Sequence, residues 1–448
     1  MATVYYDFSA GTNGAGTAAS PRNTWATPGN DDVIRLKRGT TWTRTTQLNL
    51  STFTNLTLEA WHNADGSDAP TRPKPIVTIT AASTFAWNFQ GDGVHTIRNL
   101  NFLNCTTNAN GGVIGSGLVA ASSVNASIEL YACDFNGINA NAIRFSGINA
   151  ASASRCVVKF CNFDDIGEDC IYGGAFYYEV GYCRMTRISM LTTTGDGVGF
   201  TGTNPTLAWV HHNYIDHSDR DTKHCIIIDA ATADAGLGII EDNTLIGFGN
   251  SGTEAGAHTI INGDAKMIVR RNVIYSAGIA INLAGNASEV HSNLLIVSNS
   301  RAASKNIIAV VASNCDVRGN TLVASSPLSA STNGVIQASG ESGNTVRNNV
   351  FVSIPVAVKS DVTPNQVVSN NAMWNVTTPY MGVSVPFSGT DDVTTDPLLT
   401  ADYKPTQSSP LVAAGTHLGY RRDIEGKQRQ NPPCIGAYDA APMRAPLA

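Results

Sequence analysis

The sequence predicts an all-β solenoid: about twelve coils of short parallel strands stacked one on the next, with a cap at each end. Three observations predict it. First, an apolar-x-x-Asn-x-apolar unit recurs around Asn213, Asn243, Asn272, Asn293, Asn320, Asn349 and Asn371, and neighbouring slots lie 21 to 33 residues apart from Leu100 onward. Such a period belongs to architectures in which each repeat touches only its neighbours. Second, the apolar runs are short and β-branched, as in Ile226-Ile227-Ile228, Ile260-Ile261, Ile307-Ile308 and Val350 to Val352. A helical repeat would need helical spacing sustained over roughly ten residues or more. Third, Gly, Asn, Ser and Asp lie between these runs, and they are the residues that make turns.

Taken in order, residues 1–45 read as an N-terminal cap, 46–375 as the solenoid and 376–448 as a C-terminal cap and tail. In the N-terminal part, Phe8, Trp25 and Trp42 are the residues expected to close the first coil, because a solenoid exposes an open sheet edge at each end. Within the solenoid the recurring Asn has two expected jobs. It tolerates the left-handed region at a tight turn, and its amide points inward to bond the backbone and the Asn of the next coil, about 4.8 Å away. Cys133, Cys161 and Cys183, and before them Leu100 and Leu56, read as the same column. The C-terminal part is irregular, with Asp396-Pro397, Tyr403-Lys404-Pro405 and Ile435-Gly436-Ala437-Tyr438 in succession.

This pattern resembles the right-handed parallel β-helix family, the pectate-lyase-like and tailspike-like proteins. The resemblance covers roughly residues 50 to 375 and implies a rod about 55 Å long at strand spacing. The stretch Gly167-Glu168-Asp169-Cys170-Ile171 is similar to the Gly-Asp-Asp-Cys-Ile stretch that carries the catalytic carboxylates of polygalacturonase-like hydrolases, with Glu168 in place of the first Asp.

Composition excludes several classes. Net charge is −6 and charged residues are 14% of the chain, with no Lys/Arg run, so no nucleic-acid partner is expected. No apolar stretch is long enough to span a membrane. The first residues, Met1 to Asp7, have neither a basic nor an apolar segment, so no secretory signal is predicted, and the expected setting is a phage tail or release by lysis. Nine Cys without a C-x-x-C pair read as buried free thiols, not a zinc site.

In a solenoid, function is read down columns. One column, the residue before each third strand, reads Asn141, Asp169, Asp196, His224, His258, flanked by Glu168 and Lys223. Carboxylates on adjacent coils lie about 5 Å apart and on alternate coils about 10 Å apart; about 5–5.5 Å suits retaining glycoside hydrolysis and roughly 6.5–9.5 Å inversion, and stacked Asp169 and Asp196, with Glu168 nearby, lie in reach of either distance. The candidate catalytic residues are therefore Asp169, Asp196, Glu168 and His224, with Lys223, Arg220, Tyr172, Tyr177 and His258 as candidate substrate contacts. The plain alternative is that an Asp before a strand only closes its turn. An outward column of Lys159, His211, Glu241, Arg270, His291, Arg318 and Arg347 reads as an ordinary solvated face.

The expected function is a polysaccharide depolymerase, an endo-glycosidase acting on a bacterial surface polysaccharide. The alternatives are a lyase, for which calcium would neutralise a uronate, and a glycan-binding protein without catalysis. A hydrolase needs no cofactor. The tailspike resemblance implies a homotrimer, which would bury faces too apolar for solvent.

Overall fold

A computed structural model describes residues 2–50, 53–80, 85–89, 93–107, 111–116, 126–145, 154–191, 195–201, 206–218, 224–229, 236–247, 258–263, 265–276, 278–298, 306–338, 340–360, 366–382 and 387–440. The chain forms two compact units, Met1–Thr222 and Lys223–Ala448. Each is a stretch of right-handed parallel β-helix in which every coil contributes one strand to each of three sheets. In the first unit, the coil made by Arg155–Lys159, Asn162–Ile166 and Ile171–Gly173 pairs in parallel with the coil Tyr177–Gly181, Arg184–Thr186 and Val198–Thr201. In the second, Lys266–Arg270, Val273–Ser276 and Ile279–Leu283 pair with Glu289–His291, Leu294–Val297 and Asn306–Val310. The strands Thr3–Tyr6 and Val33–Lys37 already belong to the first sheet, and Thr378–Gly382 to the third.

Alternation sets the core. On the second sheet of the first unit, Phe102, Phe135 and Phe163 point inward and stack at centroid distances of 4.9 Å. At the N-terminal end, Trp25 stacks on Trp42 at 4.7 Å and Phe8 on Trp42 at 5.0 Å, covering the first coils with apolar rings.

The asparagine column is an internal ladder. In the second unit, the Asn320 side-chain oxygen accepts from the Asn293 backbone N–H at 3.0 Å and from its amide at 2.9 Å. The Asn320 amide donates to Val290 O at 2.8 Å and to Asn349 Oδ1 at 3.0 Å. The same bonds join Asn243 to Asn272, Asn272 to Asn293, and Asn349 to Asn371. The left-handed residue is not the Asn, as expected from sequence, but the one before it: Asp242, Arg271, Ser292, Asn348 and Asn370 have φ between 54° and 57°. That outward residue makes the corner, which turns the following Asn inward. In the first unit Cys133, Cys161 and Cys183 hold the same slot, after Ala132, Phe160 and Tyr182, and Asn213 tops the column by accepting from the Cys183 N–H at 2.9 Å. Leu56 does not belong there. It precedes its first-sheet strand Thr57–Trp61, at a different corner, one coil along from Asp32. All nine cysteines are free and buried, and burial pushes the Cys105 thiol up to about 12.

Residues 387–440 do more than finish the helix. Thr390 and Val393 bridge to Ser369 and Ala372, and the chain then lies along the outer face of the second sheet. There Ile424, Ala437 and Tyr438 pack on Leu294 and Ile296, and Leu411 and Ile435 on Val350 and Ala372. Arg429 ties this segment down. Its guanidinium donates to Ser292 Oγ at 3.2 Å and to the carbonyls of Gly436 and Ala437 at 2.9 and 3.0 Å, and it pairs with Asp439 at 3.4 Å.

Candidate active site

The outer face of the first sheet in the first unit carries a cluster of interacting titratable groups. Parallel register aligns Val157, Glu179 and Trp209 in one outward row and Lys159, Gly181 and His211 in the next. Glu179 is buried, and its carboxylate takes three donors: Lys159 Nζ at 2.6 Å, His211 Nε2 at 3.3 Å and Tyr177 Oη at 3.2 Å. Burial alone would raise its pKa, but bonds to Lys159 and His211 outweigh it and hold Glu179 below the usual value. It is ionised. His211 is 3% exposed, and burial pushes its pKa down despite Glu179. It is neutral.

Those two charge states fix the proton positions. A carboxylate only accepts, so neutral His211 carries its proton on Nε2 and presents a bare Nδ1. That Nδ1 lies 3.0 Å from His212 Nδ1, so His212 is the donor there. The exposed His212 is left with Nε2 as its basic nitrogen. Its ring is held by stacking on Tyr182 at 4.7 Å and by an edge contact with His211. The result is a carboxylate–imidazole–imidazole chain leading from the sheet to solvent, the logic of an oriented catalytic base.

Local sequence makes this possible at one residue. A Cβ on Gly181 would lie 2.5 Å from His211 Cε1. Glycine leaves the space in which the His211 ring leans over its neighbour to reach Glu179. The outward column therefore is not an ordinary solvated face at this point. The signal available in the sequence was Gly181 between Lys159 and His211, with Glu179 two residues earlier.

The structure places the sequence candidates as follows. Asn141, Glu168, Asp169 and Asp196 meet at one corner. The Asn141 amide donates to Glu168 Oε2 at 2.8 Å, its oxygen accepts from the Asp169 N–H at 3.1 Å, and Asp169 Oδ1 accepts from the Asp196 N–H at 2.5 Å. Each of these bonds joins one coil to the next, 27 or 28 residues along the chain, so the corner is a side-chain ladder between coils. Glu168 has its pKa raised by burial, against the pull of Arg144 and Asn141, and Arg144 sits 5.4 Å over the Tyr172 ring. Tyr177 is on the other sheet, bonded to Glu179. His224 is buried at the start of the second unit, just before Ile226–Asp229, and His258 opens the strand His258–Gly263. Arg220, Lys223 and the rest of their loop lie outside the described residues, as does the side chain of His258.

Among the described residues no group of three His, Cys, Asp or Glu side chains could hold a metal ion. Calcium does not fit the Glu179 cluster, since both carboxylate oxygens already face donors and a cation would meet Lys159.

No protein-family model matches this chain, and no curated protein sequence does. Solved structures do. The complex of XylC with xylose is 8% identical over 98% of each chain, with a TM-score of 0.51. The likeness is one of fold. Two others align less well: a mannuronic acid specific polysaccharide family 6 lyase from human gut microbiota, 15% identical over 84% of this chain and 83% of that one (TM-score 0.45), and the Dettilon tailspike protein, 12% identical over 84% and 58% (TM-score 0.31). No helix of the described residues is long and apolar enough to cross a membrane.

Proposed function

We propose that this protein is a polysaccharide depolymerase that cuts an acidic glycan by β-elimination at the Glu179–His211–His212 chain. The observation that carries the reading is the oriented basic nitrogen of His212, backed by a neutral imidazole and an ionised carboxylate. In the proposed step His212 Nε2 takes the proton α to a uronate carboxyl. The electron pair forms the ring double bond, and the glycosidic oxygen leaves and is protonated by solvent. Elimination needs a positioned base, which this cluster has. Hydrolysis needs a protonated carboxylic acid, and Glu179 is ionised. Arg98 and Arg155, over the rings of Tyr131 and Tyr177, add positive charge to the same face for an anionic chain.

A second reading rests on Glu168. Its raised pKa suits a general acid, and Asp169 beside it would serve as the partner carboxylate of a glycosidase. The proposed setting for either is a phage-borne or lysis-released protein acting on a bacterial surface polysaccharide, as a trimer.

The test is incubation of the whole protein with uronate-containing and neutral capsular polysaccharides, following reducing ends and the ultraviolet absorbance of unsaturated uronate. Both signals are expected with the uronate polymer. His212→Ala should lower the rate about 100-fold or more, the usual worth of a general base. Reducing ends without absorbance, lost in Glu168→Gln and kept in His212→Ala, would replace the first reading by the second.

A further inference from the structure

The first unit has a second feature that the proton-transfer chain does not use. On the outer face of its second sheet lies a groove of about 530 Å³. Register brings the outward residues Asn101, Asp134, Asn162 and Arg184 into one row, and Leu103, Asn136, Asp164 and Thr186 into the next. Successive rungs are joined side chain to side chain. Asn162 donates to Asp134 at 2.8 Å and Asn136 to Asp164 at 3.3 Å. The walls are cationic: Lys74 reaches Asp134 at 2.7 Å, and Arg187 grips Asp164 through Nε at 2.7 Å and Nη2 at 2.5 Å. Arg184 is held 4.5 Å over the Tyr214 ring.

Asp164 is fully used: it accepts from Asn136, from Thr186 and twice from Arg187. Asp134 takes only Asn162 and Lys74, and a carboxylate has about four acceptor sites and an amide both donors and acceptors, so Asp134, the Asn amides and Arg184 keep hydrogen-bonding capacity toward the groove. Acceptors, amides and a guanidinium repeat at the strand spacing of about 4.8 Å. Hydroxyls are matched by such a ladder, since each can donate to a carboxylate and accept from an amide or guanidinium. A phosphate or sulfate is not, because Asp134 and Asp164 would face it. A hydrophobic peptide is not, because the row holds one apolar side chain, Leu103.

We infer that this groove is a carbohydrate-binding site, separate from the Glu179–His211–His212 chain, that takes a hydroxyl-rich oligosaccharide lying along the coil stack. It anchors a hydroxyl-rich stretch of the polymer, one without acidic groups, on the second sheet while chemistry occurs on the first. It stands whether or not the chain proves to be catalytic.

The experiment uses the whole protein, immobilised, with a panel of purified bacterial capsular polysaccharides and lipopolysaccharide O-chains as probes. Wild type should bind at least one. Asn162→Trp, which fills the groove from an exposed position, should weaken that binding at least tenfold, and Arg184→Ala several-fold, with unchanged melting temperatures. His212→Ala should bind as wild type does while losing cleavage. Binding unchanged in both groove variants would overturn the inference, as would no binding to any probe. Binding without cleavage would overturn the proposed elimination and leave the groove standing.

Discussion

The outer faces of the second sheet in the two units differ sharply although their interiors are built alike. In the first unit that face reads Asn101, Asp134, Asn136, Asn162, Asp164 and Arg184, and it is an open groove. In the second it reads Leu294, Ile296, Val323, Val350 and Ala372, all buried, several of them beneath the C-terminal segment. Inward residues fix the coil, and outward residues are free to vary because alternation separates the two sets. One unit uses that freedom to make a docking face for its own chain. The other leaves polar groups where a ligand can reach them. Part of the apolar surface that suggested a subunit interface is thus covered from within the chain.

The comparison breaks most easily at Arg429. Arg429→Met takes the cation from the buried Asp439 carboxylate, leaving it the N–H groups of Gln430 and Cys434, and losing one partner of a buried pair costs about 3–5 kcal/mol. Denaturant unfolding of the variant should show that loss. Arg184→Met in the open groove should change stability by no more than about 0.5 kcal/mol, as surface substitutions do. Equal effects would mean that the C-terminal segment is not what holds the second unit's face.

The interior ladders give a smaller contrast. Asn320→Ala removes bonds to Asn293 and Asn349 and strands Val290 O, at a cost of about 1–3 kcal/mol for each buried group left unpaired. Cys161→Ala, in the same slot of the first unit, removes only a small apolar side chain with a weak S–H donor. Its cost should be about 1 kcal/mol. The measurement is the shift in unfolding midpoint of the two variants, and a larger loss from Cys161→Ala would contradict the account of the ladder.

An acid-dependent difference follows from His291. Burial, with Arg318, Arg270, Arg271 and Arg429 around it, holds its imidazole well below the ordinary 6.5; Tyr420 and Ser292 are its other neighbours. The unfolded chain takes up a proton near that value and the folded chain does not. The stability linked to this group is therefore full above pH 6.5 and is lost as pH falls below it. His291→Gln should flatten that fall. Hydrogen exchange resolved by peptide should show residues 289–296 losing protection in acid in wild type and keeping it in the variant. His211 is depressed in the same direction, but Glu179 beside it stabilises the charged form, so the first unit should lose less.

The fold was legible because the ladder repeats: Asn at a fixed place, a turn residue before it and β-branched residues around it leave one architecture. The left-handed residue was misplaced by one position, since Asn is a good candidate for such a corner and nothing in a single sequence says that Phe160, Tyr182 and His212 occupy it instead. The carboxylate corner was legible as a column, and Glu168, Asp169 and Asp196 do meet there. The Glu179–His211–His212 chain was not. Its members are separated by a coil in sequence, and their meeting depends on Gly181 being small enough for a ring to cross it. The covering of the second unit was hidden for a similar reason, because the C-terminal segment has no period to follow.

The smallest effect tests the corners themselves. Phe160 has φ 57° and is 54% exposed, and its ring stacks on Tyr182 at 5.0 Å. A left-handed conformation costs a bulky residue roughly 1–2 kcal/mol, which Asn largely avoids. An aromatic stack contributes about 0.5–1.5 kcal/mol. Phe160→Asn therefore trades one for the other and should leave the melting temperature nearly unchanged. At the equivalent corner of the second unit, Arg271 (φ 56°) makes ion pairs with Glu241 at 2.7 Å and Asp242 at 2.8 Å. Arg271→Asn gains the same relief and loses both pairs, so it should be the more destabilising of the two. If Phe160→Asn instead cost more than about 2 kcal/mol, the exposed ring would be holding the corner in place, and the outward residues could not be treated as independent of the coil they decorate.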